Sequence, residues 1–479
     1  MAKFKEEKIK EFDDKYDPQK SGFTETKLFK VLFCGNVEGN NNKFYCLELQ
    51  YNPKTSHYRL FSHYGRLGQS EIFGLRDVDF DTNKPVADYS VIEKEFNAII
   101  KKKLTGKNIK DDRGVEDSRR ENYQEVATFS PKVGSPNIRD KSTVIQVKSV
   151  PIDTSTIKNS KIVKLIDQIV EENVHNITSL TSLTLTSNGF ETPLGPVTKE
   201  HVHRAKSALD VLKPLMKDDK LDQDNQKVRE ANNLYYSLIP HSFGHKITIS
   251  DWILDGAKLM QEYDLLDQLE SAVQMGSSLN KNASQKLSAI GVDIDEIQLN
   301  DKEFQRLEYY VTSSRASNHR GSDVWNYRVK NIYQIKIPQE RTRFESAKDK
   351  YGNVKELFHG SRNCNILSIL KNGLIVPSFN ALCAGRMMGD GLYSASNSTK
   401  SLNYSTGWWG GTKNKYNNAF LFIVNFAMGK SYIVKGPTNK PPIGYHSIWA
   451  QAGGSLYNDE YIVYNLNQAT ITHLIEMVK

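Results

Sequence analysis

The 479-residue sequence has only four cysteines and no run of about 18 consecutive apolar residues, the minimum for a membrane-spanning helix. Cys34, Cys46, Cys364 and Cys383 form neither a Cys-x-x-Cys pair nor a dense disulfide pattern, which argues against a structural zinc finger and for a reducing compartment. The N-terminal Met1-Ala2-Lys3-Phe4-Lys5-Glu6-Glu7 is charged and lacks the apolar core of a secretory signal. Neither G-x-G-x-x-G nor the P-loop pattern occurs between a strand and a helix, so its glycines do not mark a Rossmann or P-loop fold. Excess charge of one sign is also modest. The 64 basic against 56 acidic residues leave +8, which permits a polyanionic partner without requiring one. What is present is globular: 38% hydrophobic and 25% charged residues, in a length that suggests about three domains at roughly 150 residues each.

Residues 1–22 are highly charged and end in Tyr16-Asp17-Pro18-Gln19-Lys20-Ser21-Gly22, which predicts a flexible N-terminal segment. Leu28–Phe33, Lys43–Leu49 and His57–Tyr64 read as strands of a small antiparallel sheet. Ile92, Phe96, Ile99 and Ile100 share a helical face suited to packing on that sheet, and the basic run Lys101-Lys102-Lys103 follows. Pro131, Pro136 and Pro151 punctuate a linker over 121–155, in which Val144–Val147 could form a short strand.

The periodicity then changes. Ile162, Leu165, Ile166 and Ile169 line one helical face, Val202, Ala205, Leu209 and Leu212 another, and Val228, Ala231, Tyr235 and Leu238 a third. A longer helix is predicted from Trp252 to Val273, preceded by the capping residues Ser250-Asp251. Several amphipathic helices imply a bundle. Beyond residue 281 come strand candidates at Val329–Lys336, Leu357–His359, Phe420–Phe426, Ser431–Val434 and Glu460–Tyr464, in a mixed α+β pattern without regular βαβ spacing.

Three stretches in this last third invite a functional reading: Phe358-His359-Gly360-Ser361-Arg362, Gly389–Tyr393 with Lys400–Tyr404, and Tyr457–Tyr464. Singly, each has a bland explanation as a turn, a loop or a buried strand. Their combination points to a site.

Asn42–Tyr45, Tyr64-Gly65-Arg66-Leu67-Gly68, Phe96 and Lys103–Asn108 together resemble the WGR module of DNA-dependent poly(ADP-ribose) polymerases, with Tyr64 in place of the signature tryptophan. Pro193–Val197 and Asn233–Gly244 resemble phrases in the regulatory helical domain of that family. His359-Gly360-Ser361, Gly391-Leu392-Tyr393, Ser401-Leu402-Asn403-Tyr404 and Glu460–Tyr464 resemble the His-Tyr-Glu signature of its catalytic domain. The resemblance spans nearly all of residues 25–479. It implies a multidomain α+β chain: a flexible segment at 1–22, a WGR module at 23–120, a linker at 121–155, an all-α regulatory domain at 156–280, and an ADP-ribosyltransferase domain with split antiparallel sheets at 281–479.

The resemblance also implies NAD+ as co-substrate, no metal, and DNA ends or nicks, 5′-phosphorylated, as activator. The chain itself and nearby proteins would be acceptors, with no membrane partner, a monomer in the absence of DNA, and a nuclear location in a eukaryotic host or cytoplasm or nucleoid otherwise. Gly360, having no Cβ, would let its backbone approach the nicotinamide carboxamide, and the Ser401 hydroxyl would add a second hydrogen bond. Tyr393 and Tyr404 would hold the ring, His359 would bind a ribose hydroxyl, Ser361 would contact the donor, and Lys400 would offset diphosphate or acceptor charge. Glu460 would stabilise the oxocarbenium-like charge and orient the acceptor hydroxyl. Glu460 follows Asp459, one residue more than the family spacing from Asn458. Counting back from Tyr461–Tyr464 puts Glu460 at the reacting end and Asp459 on the opposite strand face. Tyr64, Arg66, Lys101, Lys102, Lys103 and Lys107 are the candidates for DNA contact or interdomain relay. The leading expectation is a DNA-break-activated enzyme that builds polymer; the others are single-unit transfer and a catalytically weak DNA-end-binding scaffold.

Overall fold

The computed structural model describes residues 4–479 except 5, 11–13, 37–40, 67–70, 80 and 81, 106–122, 126–158, 187 and 188, 193 and 194, 242, 244–247, 377–386 and 407–415. Lys107, Arg386 (a pocket-rim position in the family resemblance), nearly all of the predicted linker and its candidate strand at Val144–Val147 lie outside the described residues. In chain order the elements are strands β1 (Glu7–Ile9), β2 (Glu25–Asn36), β3 (Asn41–Asn52), β4 (His57–Arg66) and β5 (Glu71–Arg76), helix α1 (Tyr89–Thr105) and strand β6 (Gln124–Glu125). Helix α2 (Ser160–Leu180), strands β7 (Thr184–Thr186), β8 (Gly189–Thr192) and β9 (Gly195–Pro196), and helices α3 (Lys199–Leu212), α4 (Gln226–Leu238), α5 (Gly256–Met275) and α6 (Ala283–Ile290) follow. The last part holds β10 (Asp293–Ile297), α7 (Lys302–Ser313), β11 (Arg328–Lys336), α8 (Pro338–Tyr351), β12 (Val354–Gly360), α9 (Ile366–Asn372), β13 (Leu392–Ser394) and α10 (Ser398–Ser405). Strands β14 (Asn418–Ala427), β15 (Ser431–Val434), β16 (Ser447–Ala450), β17 (Glu460–Val463) and β18 (Ala469–Val478) close the chain.

The chain divides into two compact units, one of residues 1–148, 178–212 and 223–253, the other of 149–177, 213–222 and 254–479. The first contains a six-stranded antiparallel sheet in the order β1-β5-β4-β3-β2-β6. Period-two alternation in β3 sends Phe44 and Cys46 to one face and Tyr45, Leu47 and Leu49 to the other, where α1 buries Ile92, Phe96 and Ile100. The N-terminal stretch departs from the expectation of a flexible lead-in. Glu7–Ile9 pairs with β5, and Tyr16 is fully buried against Phe61. Charge-rich composition concealed this because the anchor comes from elsewhere: buried Arg59 donates to Gln50 Oε1 (2.7 Å) and to the carbonyls of Lys15 (2.8 Å) and Tyr16 (3.3 Å).

The helices predicted as one bundle are shared between the units. Helices α3 and α4 belong to the first; α5, α6 and all but the last turn of α2 belong to the second. Helix α5 starts at Gly256, later than predicted, because Asp255 accepts from the Lys258 amide and caps it, while Ser250 and Asp251 sit in a separate 3-10 turn.

In the second unit a five-stranded sheet runs β10-β11-β18-β14-β12, and a four-stranded sheet runs β13-β17-β16-β15, with β15 and β16 parallel and the other pairs antiparallel. Strand β18 was absent from the sequence expectations. Its His473 and Glu476 interrupt the apolar pattern, yet both are buried, and Glu476 is met by Lys330 (3.0 Å), Asn331 (2.7 Å) and Asn418 (3.0 Å). Helix α7 covers one face of the larger sheet with Phe304, Leu307 and Val311. A bridge between Phe358 and Ala395 ties the end of β12 to the end of β13, which joins the two sheets where the candidate residues lie.

Arg59→Ala would leave the Lys15 and Tyr16 carbonyls without their donor. Hydrogen exchange of the full chain is expected to show protection of residues 14–21 reduced by about 2–3 kcal/mol.

Candidate active site

Strand β12 delivers His359 and Gly360 to the edge of a cavity of about 250 Å³ in the second unit. The lining includes His359, Gly360, Ser361, Tyr393, Lys400, Ser401, Tyr404 and Glu460, so every donor-site and catalytic candidate converges on one space. The glycine at 360 is required by packing. A Cβ there would stand 1.8 Å from the Ser401 carbonyl oxygen and 3.0 Å from Ser405 Oγ, so its absence is what allows α10 to lie on β12. The Ser401 hydroxyl donates to the Phe358 carbonyl (2.9 Å) and keeps its lone pairs for a donor such as an amide N–H.

His359 Nδ1 lies 2.8 Å from the Tyr393 carbonyl oxygen. A carbonyl only accepts, so Nδ1 carries the proton, and Nε2 of the neutral ring is an acceptor. Burial holds the His359 pKa below its ordinary value, opposed by that hydrogen bond. The Tyr393 ring is fixed by its hydroxyl, which donates to the Gly389 carbonyl (2.7 Å) and accepts from the Met388 amide (3.0 Å). Tyr404 forms another wall, its phenol pushed up to about 12 by burial and by the charge of Glu460.

Glu460 is 6% exposed and its Oε1 is 2.9 Å from Lys400 Nζ, which also donates to the Asn458 carbonyl (2.8 Å). Burial lowers the Lys400 pKa and the Glu460 charge opposes that shift. Asp459 faces away from the cavity, accepting from Trp449 Nε1 (2.8 Å) and the Ala452 amide (2.9 Å). Tyr461, two residues on, stacks on the same Trp449 with ring centroids 5.9 Å apart, as strand alternation requires.

The opposite wall was not singled out in the sequence. Met260, Asp264 and Asp267 of α5 and Asn365 also line the cavity. Asp264 pairs with Arg362 at 2.9 Å. Within α5, Gln268 and Ser271 are fully buried although polar, so this helix is enclosed on more than its apolar stripe, which the sequence periodicity does not show. Cys364, at the foot of the same wall, has its thiol pushed up to about 11 by burial.

The DNA-contact candidates are less uniformly placed. Lys101 and Lys102 are exposed near the C-terminal end of α1, whereas the Lys103 ammonium, in its last turn, lies over the rings of Tyr45 (4.4 Å) and Tyr123 (4.9 Å). The Tyr64 ring is half-buried, 5.2 Å from that of Tyr45, with the Lys8 ammonium 5.9 Å from its centroid. Arg66 ends β4.

Comparison with known protein families matches the WGR domain over residues 31–107, the regulatory domain of poly(ADP-ribose) polymerase over 157–297, and the catalytic domain of the same enzyme over 301–479. By this architecture the chain belongs to the poly(ADP-ribose) polymerase family. Among its relatives, a poly(ADP-ribose) polymerase of Drosophila melanogaster is 25% identical over 94% of this chain and 46% of its own length. Poly(ADP-ribose) polymerase 2-B of Oryza sativa subsp. japonica is 22% identical over 92% of this chain and 70% of its own length. A human protein mono-ADP-ribosyltransferase is 26% identical over 87% of this chain and 75% of its own length. The chain spans less than half the length of several of the curated polymerases it matches.

Gly360→Ala is expected to lower the stability of the second unit by about 2–3 kcal/mol, because either α10 or β12 must shift. Thermal unfolding of the purified chain reads this directly.

Proposed function

We propose that the chain is an NAD+-dependent ADP-ribosyltransferase that modifies protein acceptors. The observation that carries the reading is the convergence of the Gly360 main chain, His359, Tyr393, Ser401, Tyr404 and Glu460 on one cavity, within a matched catalytic domain. Those groups fit the nicotinamide end of the donor: a main-chain amide and carbonyl at Gly360, an accepting hydroxyl at Ser401 for the carboxamide, ring faces from Tyr393 and Tyr404, and an accepting Nε2 on His359 for a ribose hydroxyl. In the reaction the bond from the ribose carbon to the nicotinamide nitrogen breaks, and its electron pair leaves with nicotinamide. The buried Glu460 carboxylate stabilises the positive charge that grows on the ribose. The acceptor oxygen then bonds to that carbon and releases its proton to water, while Glu460 orients the incoming hydroxyl.

Single-unit transfer is the favoured product. Lys400 already holds Glu460 Oε1, which leaves less of that carboxylate to grip the hydroxyl of a growing chain, and the human mono-ADP-ribosyltransferase shares three-quarters of its length with this chain. Elongation is the second reading, supported by the polymerase names of the insect and rice relatives. Incubation with labelled NAD+, with and without a 5′-phosphorylated duplex, separates them: a single shifted band is expected, a ladder would establish polymer, and no transfer would overturn the enzyme reading. Glu460→Gln is expected to reduce transfer by about 100-fold or more, and Asp459→Asn to leave it within about twofold; the reverse order would reassign the carboxylate.

The WGR match and the exposed Lys101 and Lys102 support activation by DNA. Met260, Asp264 and Asp267 line the cavity opposite the candidate residues, which supports a covering role for α5. Deleting residues 155–280 is therefore expected to raise the DNA-independent rate; an unchanged or lower rate in soluble protein would sink that idea. Because the folded chain binds the His359 proton more weakly than the unfolded chain does, the neutral ring persists as pH falls through its ordinary value of 6.5. The stability that this depressed pKa contributes is fully present above 6.5 and is lost as pH falls through the folded value. A pH profile of kcat/KM beside unfolding curves checks both signs, with activity expected to persist below 6.5 while stability declines.

A further inference from the structure

A line of hydrogen bonds enters the cavity from the helices, and every bond in it points the same way. Asn176 Nδ2 in α2 donates to Gln268 Oε1 in α5 at 2.7 Å. Gln268 Nε2 donates to Asn365 Oδ1 at 2.7 Å. Asn365 Nδ2 donates to Ser361 Oγ at 3.1 Å. Each carboxamide has one accepting end and one donating end, so the orientation of the first dictates that of the next. Ser361 terminates the line as an acceptor, and its own proton remains available to the cavity that it lines. Two bonds between α5 and α9 keep the line in register: Ser368 Oγ donates to the Asp267 carbonyl (3.1 Å), and Asn372 Nδ2 donates to Ser271 Oγ (3.1 Å).

We propose that Gln268 and Asn365 are positioning residues that fix Ser361 as a hydrogen-bond donor to an oxygen of the bound dinucleotide. This rests on the transferase reading above and adds to it a polarity set by the docked helices. With α5 in place, Ser361 offers O–H to the ligand. Once Gln268 is withdrawn, the Asn365 amide is free to reverse, present its oxygen to Ser361 and draw the hydroxyl proton away from the cavity. Helix α5 would thus control the chemical character of the pocket floor as well as the space above it. Buried Gln268 has no apolar substitute that would preserve this orientation.

Replacing an amide by a carboxylate, which only accepts, reverses the line without changing its shape. In the full chain without DNA, Ser361→Ala is expected to raise the KM for NAD+ roughly five- to tenfold with kcat within about twofold, the loss of one hydrogen bond. Gln268→Glu is expected to do the same, and the double variant to be no worse than Ser361→Ala alone, since both remove the same donor. Asn176→Asp, which reverses the line one step farther from the cavity, covers the case in which Gln268→Glu fails to fold and should show the same dependence on Ser361. Nicotinamide release supplies KM and kcat, and thermal unfolding registers purely structural damage. Additive effects in the double variant, or a fall in KM on reversing the line, would overturn the relay. A Ser361→Ala enzyme with unchanged KM would overturn the placement of Ser361 at the donor and the relay with it. Absence of nicotinamide release from the unaltered chain both with and without a 5′-phosphorylated duplex would overturn the transferase reading itself.

Discussion

The carbonyl oxygen of Ser401 occupies the position a side chain at residue 360 would take, and the cavity depends on that contact. The missing Cβ lets α10 lie on β12, so that Lys400, Ser401 and Tyr404 arrive on one side of the space whose edge is His359. The bridge between Phe358 and Ala395 then sets the Tyr393 carbonyl within reach of the His359 ring, and β17, paired with β13, brings Glu460 to the remaining side. Three chain segments separated by many residues are thereby held by main-chain geometry, and their side chains inherit its rigidity.

The segments of this site were legible in the sequence because their residue types are uncommon in combination. The reasons for some residues were not. Gly360 invited an explanation from the ligand, whereas its first obligation is to the helix behind it. Lys400 read as a charge for a phosphate or acceptor, and the structure pairs it with Glu460, a contact across 60 residues that periodicity cannot show. The register of Glu460 and Asp459 was readable because alternation along a strand is local, and Asp459 duly turns to Trp449. Nonlocal anchoring accounts for the rest. Nothing near Tyr16 announces that Arg59 will hold it, and nothing around Glu476 announces Lys330, Asn331 and Asn418.

The seam between α2, α5 and the sheets of the second unit includes a set of amide and charge contacts. Gln168 and Asn418 exchange hydrogen bonds at 2.7 and 3.2 Å, Asn363 donates to Glu172 at 3.2 Å, and Arg362 meets Asp264. Such a seam gains little net free energy per contact, because water offers each group an alternative partner on separation. It is specific in orientation, as each amide must match its neighbour.

Cys364 lies on this seam, with its carbonyl accepting from Asn173 of α2 at 3.3 Å and its thiol shielded. Its high pKa and burial make the sulfur a poor nucleophile while the helices are docked. Their departure would admit water and restore ordinary thiol character. An opening of this wall would therefore be read by the rate at which an added alkylating reagent modifies Cys364, with no engineered label on the chain.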